Sequence, residues 1–198
     1  FVAANTPEGR LFDEPSVLFS SDYSQVELRI MAHFSQDRAL LDAFNNGVDV
    51  HRATAAQVFN VPLEDVTSDM RATAKTVNFG IMYGMQAYGL SRDTGMSRQE
   101  ATQFIERYMS QFDGVRSYLA QTLVEAQQVW YVSSLYGRRR YVPDIAGGGP
   151  RRMAAERAAI NMPLQATAAD IMKIAMINVA KELAESPLRA RMILQVHD

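Results

Sequence analysis

Cysteine is absent from all 198 residues, which excludes disulfides and thiolate zinc sites and fits a reducing compartment. No apolar run approaches the ~20 residues a membrane-spanning helix needs, because Asp170 and Lys173 interrupt the longest candidate. The opening residues FVAANTPEGR lack the basic start and apolar centre of a secretory leader. There is no internal repeat and no low-complexity tract beyond AGGGP at 146–150. A large excess of one charge is missing too, since the net charge is only −2.

What is present is a soluble globular profile: 47% apolar and 21% charged residues supply a core for one large domain or two small lobes. The charge is unevenly spread. Residues 1–70 hold 11 acids and 4 bases, residues 71–198 hold 11 acids and 16 bases, and six arginines fall within 138–157. That asymmetry suits a polyanion or phosphates on one lobe, or simply a solvated basic surface.

Hydrophobic periodicity predicts helices at 25–35, 37–45, 49–59, 69–83, 97–112, 115–128, 151–162 and 164–184. SVLFSSDY (16–23) and RMILQVHD (191–198) read as strands, and 129–142 as a β-hairpin turning near Gly137. Few strands among many helices predict an α+β fold, predominantly helical, with a small antiparallel sheet.

Three constellations could carry chemistry. In SSDYSQVELRI, Asp22 sits where the strand hands over to a helix, as a hard oxygen ligand for Mg²⁺ or as a helix cap. Glu27 falls within the apolar arc of Val26, Ile30, Met31 and Phe34. A carboxylate there needs a ligand cleft or a buried arginine partner. In SDMRATAKTVNFGIMYG, Met70, Ala74, Val77 and Ile81 form a core-facing stripe, and Thr67 or Ser68 could cap the helix. Arg71, Lys75, Phe79 and Tyr83 recur every fourth residue on another face. Two cations followed by two rings suit a nucleotide, triphosphate first and then sugar and base. The alternative is a helix buried on both faces with solvated cations. Gly80 and Gly84 would let a substrate or neighbouring backbone approach. In RRMAAERAAINMPLQATAAD, Arg157, Asn161 and Gln165 make a polar stripe able to donate to base edges or to water. Pro163 should bend or restart that helix. His51 opens a helix and could help bind a phosphate or act as a cap; His33 lies on a polar face, and His197 matters only if Asp198 does.

These motifs resemble the polymerase domain of family A DNA polymerases of the bacterial polymerase I type. DYSQVELR is similar to the family's first motif, RATAKTVNFGIMYG (71–84) fits R-x3-K-x3-N-[FY]-G-x2-YG, and QVHD fits the third, which normally continues into Glu. GRRRYVPDI and AAERAAINMPLQATAADIMK resemble further family blocks. The resemblance implies palm at 1–35, fingers at 36–128 and truncated palm at 129–198. It implies template-directed DNA synthesis on primer-template DNA from deoxynucleoside triphosphates, by a monomer that needs no membrane and, in a bacterium, works in the cytoplasm on the nucleoid. It assigns two Mg²⁺ ions to Asp22, Asp198 and the main-chain carbonyl of Tyr23. Arg71, Lys75 and His51 would hold the triphosphate, Lys75 also serving as general acid. Phe79 and Tyr83 would meet sugar and base, with Gln25 beside the incoming nucleotide and Glu27 as steric gate against ribose. Arg157, Asn161, Gln165 and His197 would line the minor groove, with Arg151 and Arg152 on the backbone. Lacking the Glu after Asp198, the rest of the palm, the thumb and any exonuclease domain, the chain is expected to be inactive alone. A silent DNA-binding relative would lose Asp22, Arg71 or Lys75, all present. Glu27 and NFGIMYG favour deoxynucleotides over the ribonucleotides of a phage-type RNA polymerase.

Overall fold

The structure, a computed structural model, describes residues 17–196. Four of its helices start where short polar side chains receive unpaired backbone amides. Asp37 caps α2 (Arg38–Asn45), Asp49 caps α3 (Val50–Phe59) and Thr67 caps α4 (Ser68–Met82). Ser97 and Glu100 close a reciprocal capping box on α6 (Arg98–Gln111). α1 (Val26–Ser35) starts differently: Gln25 stands before it at φ 55° and no side chain caps it. Asp22, exposed and separated from α1 by Tyr23, Ser24 and Gln25, is therefore not its cap. α5 (Ala87–Thr94), α7 (Asp113–Val129) and α8 (Gly149–Glu185) complete the helical set.

The main core gathers one face of each helix. Leu28 and Met31 of α1, Leu40 of α2, Val50 and Val58 of α3, Val77, Ile81 and Met82 of α4, Leu90 of α5, Phe104 and Tyr108 of α6, and Leu119 of α7 are all buried there, closed by Leu164 of α8. The predicted α4 stripe is realised, with Ala74, Val77 and Ile81 buried. A second cluster lies where α8 meets the hairpin, from Ala126, Val132, Val142, Ile145, Ala155, Ala159 and Met162. The hairpin pairs β1 (Tyr131–Ser133) with β2 (Arg139–Tyr141) antiparallel, Tyr131 opposite Tyr141. Its turn is tied to α8: Asp170 accepts from Ser134 Oγ (2.8 Å) and from Arg138 Nε (2.9 Å), and Thr167 Oγ1 accepts from the Leu135 amide (2.9 Å).

The α+β, mainly helical class is as expected, and three details differ. α5 had no counterpart in the periodicity. The two helices expected around Pro163 are one helix of 37 residues, because Met162, Pro163 and Leu164 are all buried and packing holds both halves on one course. Residues 17–23 and 191–196 form no strand. A strand exists only when a partner takes its amides and carbonyls, and among the described residues the only sheet is the hairpin. The sheet therefore does not carry Asp22. No helix among the described residues is long and apolar enough to cross a membrane.

Candidate nucleotide-binding face

The face is built on α4. Arg71, in the first turn of α4, and Lys75, one turn further on, stand on the same side of the helix, and at Arg71 the helix dipole adds to the attraction for anions. Arg71 is held, not loose: its Nε and Nη2 both lie 2.8 Å from Asp49 Oδ2. Asp49 is in turn fixed by its cap bond from the Arg52 amide (3.0 Å). Burial alone would raise the Asp49 pKa, but the Arg52 amide and the Arg71 guanidinium outweigh it and hold the carboxyl below its usual value. With 40% of its side chain still exposed, Arg71 keeps donors for a further anion. Lys75 is exposed.

His51, in the first turn of α3, is buried, and its ring lies 5.7 Å from the Phe79 ring, tilted by 43°. Burial pushes its pKa down; Asp49 opposes that shift, and Arg71 and Lys75 reinforce it. Phe79 is half-buried, so the two rings make a wall one turn beyond Lys75. At the C-terminal end of α4, the Tyr83 hydroxyl donates to Glu27 Oε2 at 2.5 Å. Glu27 thus meets a phenol where the sequence left open an arginine, and its carboxylate sits in the first turn of α1, the end that favours negative charge.

α8 flanks the same end. Gly84 turns the chain at φ +68°, and a Cβ there would meet Arg157 Cγ at 3.0 Å, so the close approach expected at this glycine is that of Arg157. In the amide orientation that pairs both its atoms, Asn161 donates to the Met82 carbonyl (2.7 Å). Gln165, Arg151 and Arg152 are exposed along α8, Arg152 pairing with Glu156 at 2.8 Å. Gln25 is half-buried, and Asp22 and Tyr23 are exposed ahead of α1. The Asp22 carboxylate and Tyr23 carbonyl are hard oxygen donors of the kind Mg²⁺ takes. Among the described residues no group of three or more histidine or acidic side chains converges on a metal position. His197 and Asp198 lie outside the described residues.

The structure therefore joins Glu27 to Tyr83, His51 to Phe79, and α8 to the end of α4. Sequence reasoning gave no role to Asp49, Thr54 or Asn78. Asp49 was legible as a cap before an apolar run. Asn78 was legible as an amide four residues after Ala74, beside the core stripe.

Two cations and two rings thus follow in order along α4, with the His51 imidazole beside them on α3 and the polar stripe of α8 flanking the far end. The model for DNA polymerase family A matches residues 10–198, and the chain belongs to that family. It is 52% identical to DNA polymerase I of Pseudomonas aeruginosa across its whole length, covering 22% of that protein. It is 50% identical to DNA polymerase I of Bacillus subtilis over 92% of the chain and 21% of the relative. The POL domain of Pol1 from M. smegmatis, in complex with DNA primer-template and dNTP, superposes with TM-score 0.85 at 46% identity, over 89% of this chain and 31% of that one. The chain thus spans about a fifth of the length of the curated relatives it matches.

Proposed function

We propose that the chain supplies the nucleotide-binding fingers (36–128) and part of the palm (1–35 and 129–198) of a DNA-directed DNA polymerase. The carrying observation is the face on which Arg71, preset by Asp49, precedes Phe79, and Tyr83 is bonded to Glu27. In this reading a deoxynucleoside triphosphate lies along α4. Arg71 and Lys75 offset the charge of its phosphates, and His51 donates to them. Phe79 packs on the sugar, Glu27 fills the space a 2′-hydroxyl would need, and Gln25 lies beside it. Tyr83 stands at the place of the templating base. The primer 3′-hydroxyl gives its proton to solvent and its oxygen attacks the α-phosphorus, the bond from that phosphorus to the pyrophosphate oxygen breaks, and Lys75 gives the leaving pyrophosphate a proton. Asp22, the Tyr23 carbonyl and Asp198 would hold two Mg²⁺ ions, which when bound neutralise the attacking and leaving oxygens. Arg157, Asn161, Gln165 and His197 reach the minor groove of the primer-template. Its acceptors differ little between base pairs, so they test pairing shape and not sequence. Arg151 and Arg152 meet the backbone. The unit works as a monomer on cytoplasmic DNA.

Lys75 gives a clean test, since it is exposed and its truncation should leave the fold intact. Deoxyadenosine triphosphate titrated onto Lys75→Ala should bind about tenfold more weakly than to the native chain, the loss of one charge-assisted bond. Equal affinity would rule the face out as a triphosphate site.

A further inference from the structure

Three polar side chains are buried together where α3 meets α4: His51 is 2% exposed, and Thr54 and Asn78 are fully buried. Buried polar atoms are tolerable only when bonded, and the bonds here have a direction. The Thr54 hydroxyl lies 2.8 Å from the Val50 carbonyl one turn back and 3.3 Å from Asn78 Oδ1. The shorter contact takes its single hydrogen, leaving Thr54 Oγ1 as an acceptor. Asn78 Nδ2 donates to it at 3.1 Å. The other Nδ2 hydrogen points to His51 Nδ1, 3.0 Å away. An amide N–H can be received only by a bare ring nitrogen, so the proton of a neutral His51 must sit on Nε2.

We infer that Thr54 and Asn78 are positioning residues: they fix His51 as its Nε2–H tautomer, so the ring offers a donor, not a lone pair, to an anion bound beside Arg71 and Lys75. The anion rests on the triphosphate reading above; the tautomer does not. Nδ1 is taken up by the Asn78 amide, which leaves Nε2 as the ring nitrogen free to serve an anion. The charged groups acting on the ring are Asp49, the cap of α3, and Arg71 and Lys75 from α4, while the Arg52 guanidinium is taken up by the Leu63 and Glu64 carbonyls. Burial, the two nearby α4 cations and the amide donor at Nδ1 all disfavour the imidazolium, with Asp49 alone opposing. A neutral donor suits a site already carrying two cations, because it adds a directed bond without a third buried charge. The Phe79 ring against the imidazole fixes its plane, so the bond keeps its aim.

Long-range nitrogen–proton correlation spectra of the histidine-labelled 198-residue chain read the tautomer directly, the His51 signals being those lost in His51→Leu. The native chain should show Nε2–H near neutral pH. Thr54→Val keeps the volume but removes the acceptor, so the amide can turn over and a mixed or Nδ1–H pattern should follow; Thr54→Ser should restore the native one. The affinity for deoxyadenosine triphosphate should fall about tenfold in Thr54→Val and recover in Thr54→Ser. An Nδ1–H native ring, or a Thr54→Val spectrum like the native, overturns the relay. Unchanged affinity in His51→Leu removes instead the contact with phosphate, and the spectra still decide the tautomer on their own.

Discussion

Asp37 is a carboxylate buried in the core, only 2% exposed. Its Oδ1 accepts from the Ala39 and Leu40 amides at the start of α2 (3.1 and 3.2 Å). Its Oδ2 accepts from the Gly114 and Val115 amides at the start of α7 (3.0 and 3.4 Å). One carboxylate thus answers two helix N-termini, whose dipoles and free amides take the place of a cation. The arrangement needs α7 to approach closely, and Gly114 permits it: a Cβ there would lie 2.8 Å from Asp37 Cα. Neither partner can yield, because the contact is backbone on backbone. Gly114→Ala should therefore destabilise the chain by about 1–3 kcal/mol, the cost of overpacking, although alanine is the better helix former. A lowered urea midpoint checks this, and an unchanged or raised one would show that α7 can shift. The cap on α2 was legible in the sequence; the second half of the bond was not, since it spans 77 residues.

Among elements, the α3–α4 pair carries the site and also makes stability depend on pH. Both His51 and Asp49 have pKa values below their unfolded ones, 6.5 and 3.8. As pH falls past 6.5 the unfolded chain gains a proton at His51 that the folded chain refuses, so stability is lost from there downward. Past 3.8 Asp49 repeats the loss, and its pair with Arg71 goes with it. The urea midpoint should thus be lower at a pH well below 6.5 than well above it, and His51→Leu should flatten that first step while keeping the second. A His51→Leu chain with the native profile would locate the titration elsewhere. At this scale most helices were legible, because apolar residues at three- and four-residue spacing fix both the helix and its buried face. α5 was not, because Gly89 interrupts its eight residues and Gly84 and Gly95 bracket it closely, leaving little period to read. The terminal strands were over-read where they are described, at 17–23 and 191–196: a short apolar run shows that a segment could pair but does not supply the partner.

For the whole molecule, binding and catalysis separate. The proposed triphosphate face is built into the main core, where Val77, Ile81 and Met82 anchor α4. The long-range contacts that complete it, Arg71 to Asp49 and Tyr83 to Glu27, are made by the chain itself. Asp22 is in a different situation. It is exposed on a stretch with no strand or helix, next to Val17 and Phe19, which are 88% and 82% exposed. Leu194 and Val196, leading toward Asp198, are 74% and 68% exposed. Large apolar side chains so open mark surfaces that function only when covered. Phosphoryl transfer depends on carboxylates held in place before the substrates arrive, and a misplacement of about 1 Å can cost on the order of a hundredfold in rate. On the proposed reading, α4 can therefore hold a nucleotide while Asp22, a proposed metal ligand, stands on a stretch with no helix or strand. The 198-residue chain, given primer-template, the four deoxynucleoside triphosphates and magnesium, should extend no primer, while still binding deoxyadenosine triphosphate in a manner sensitive to Lys75→Ala. Robust extension would show that the chain by itself places its metal-binding groups, and loss of both activities would place the defect in α4 instead.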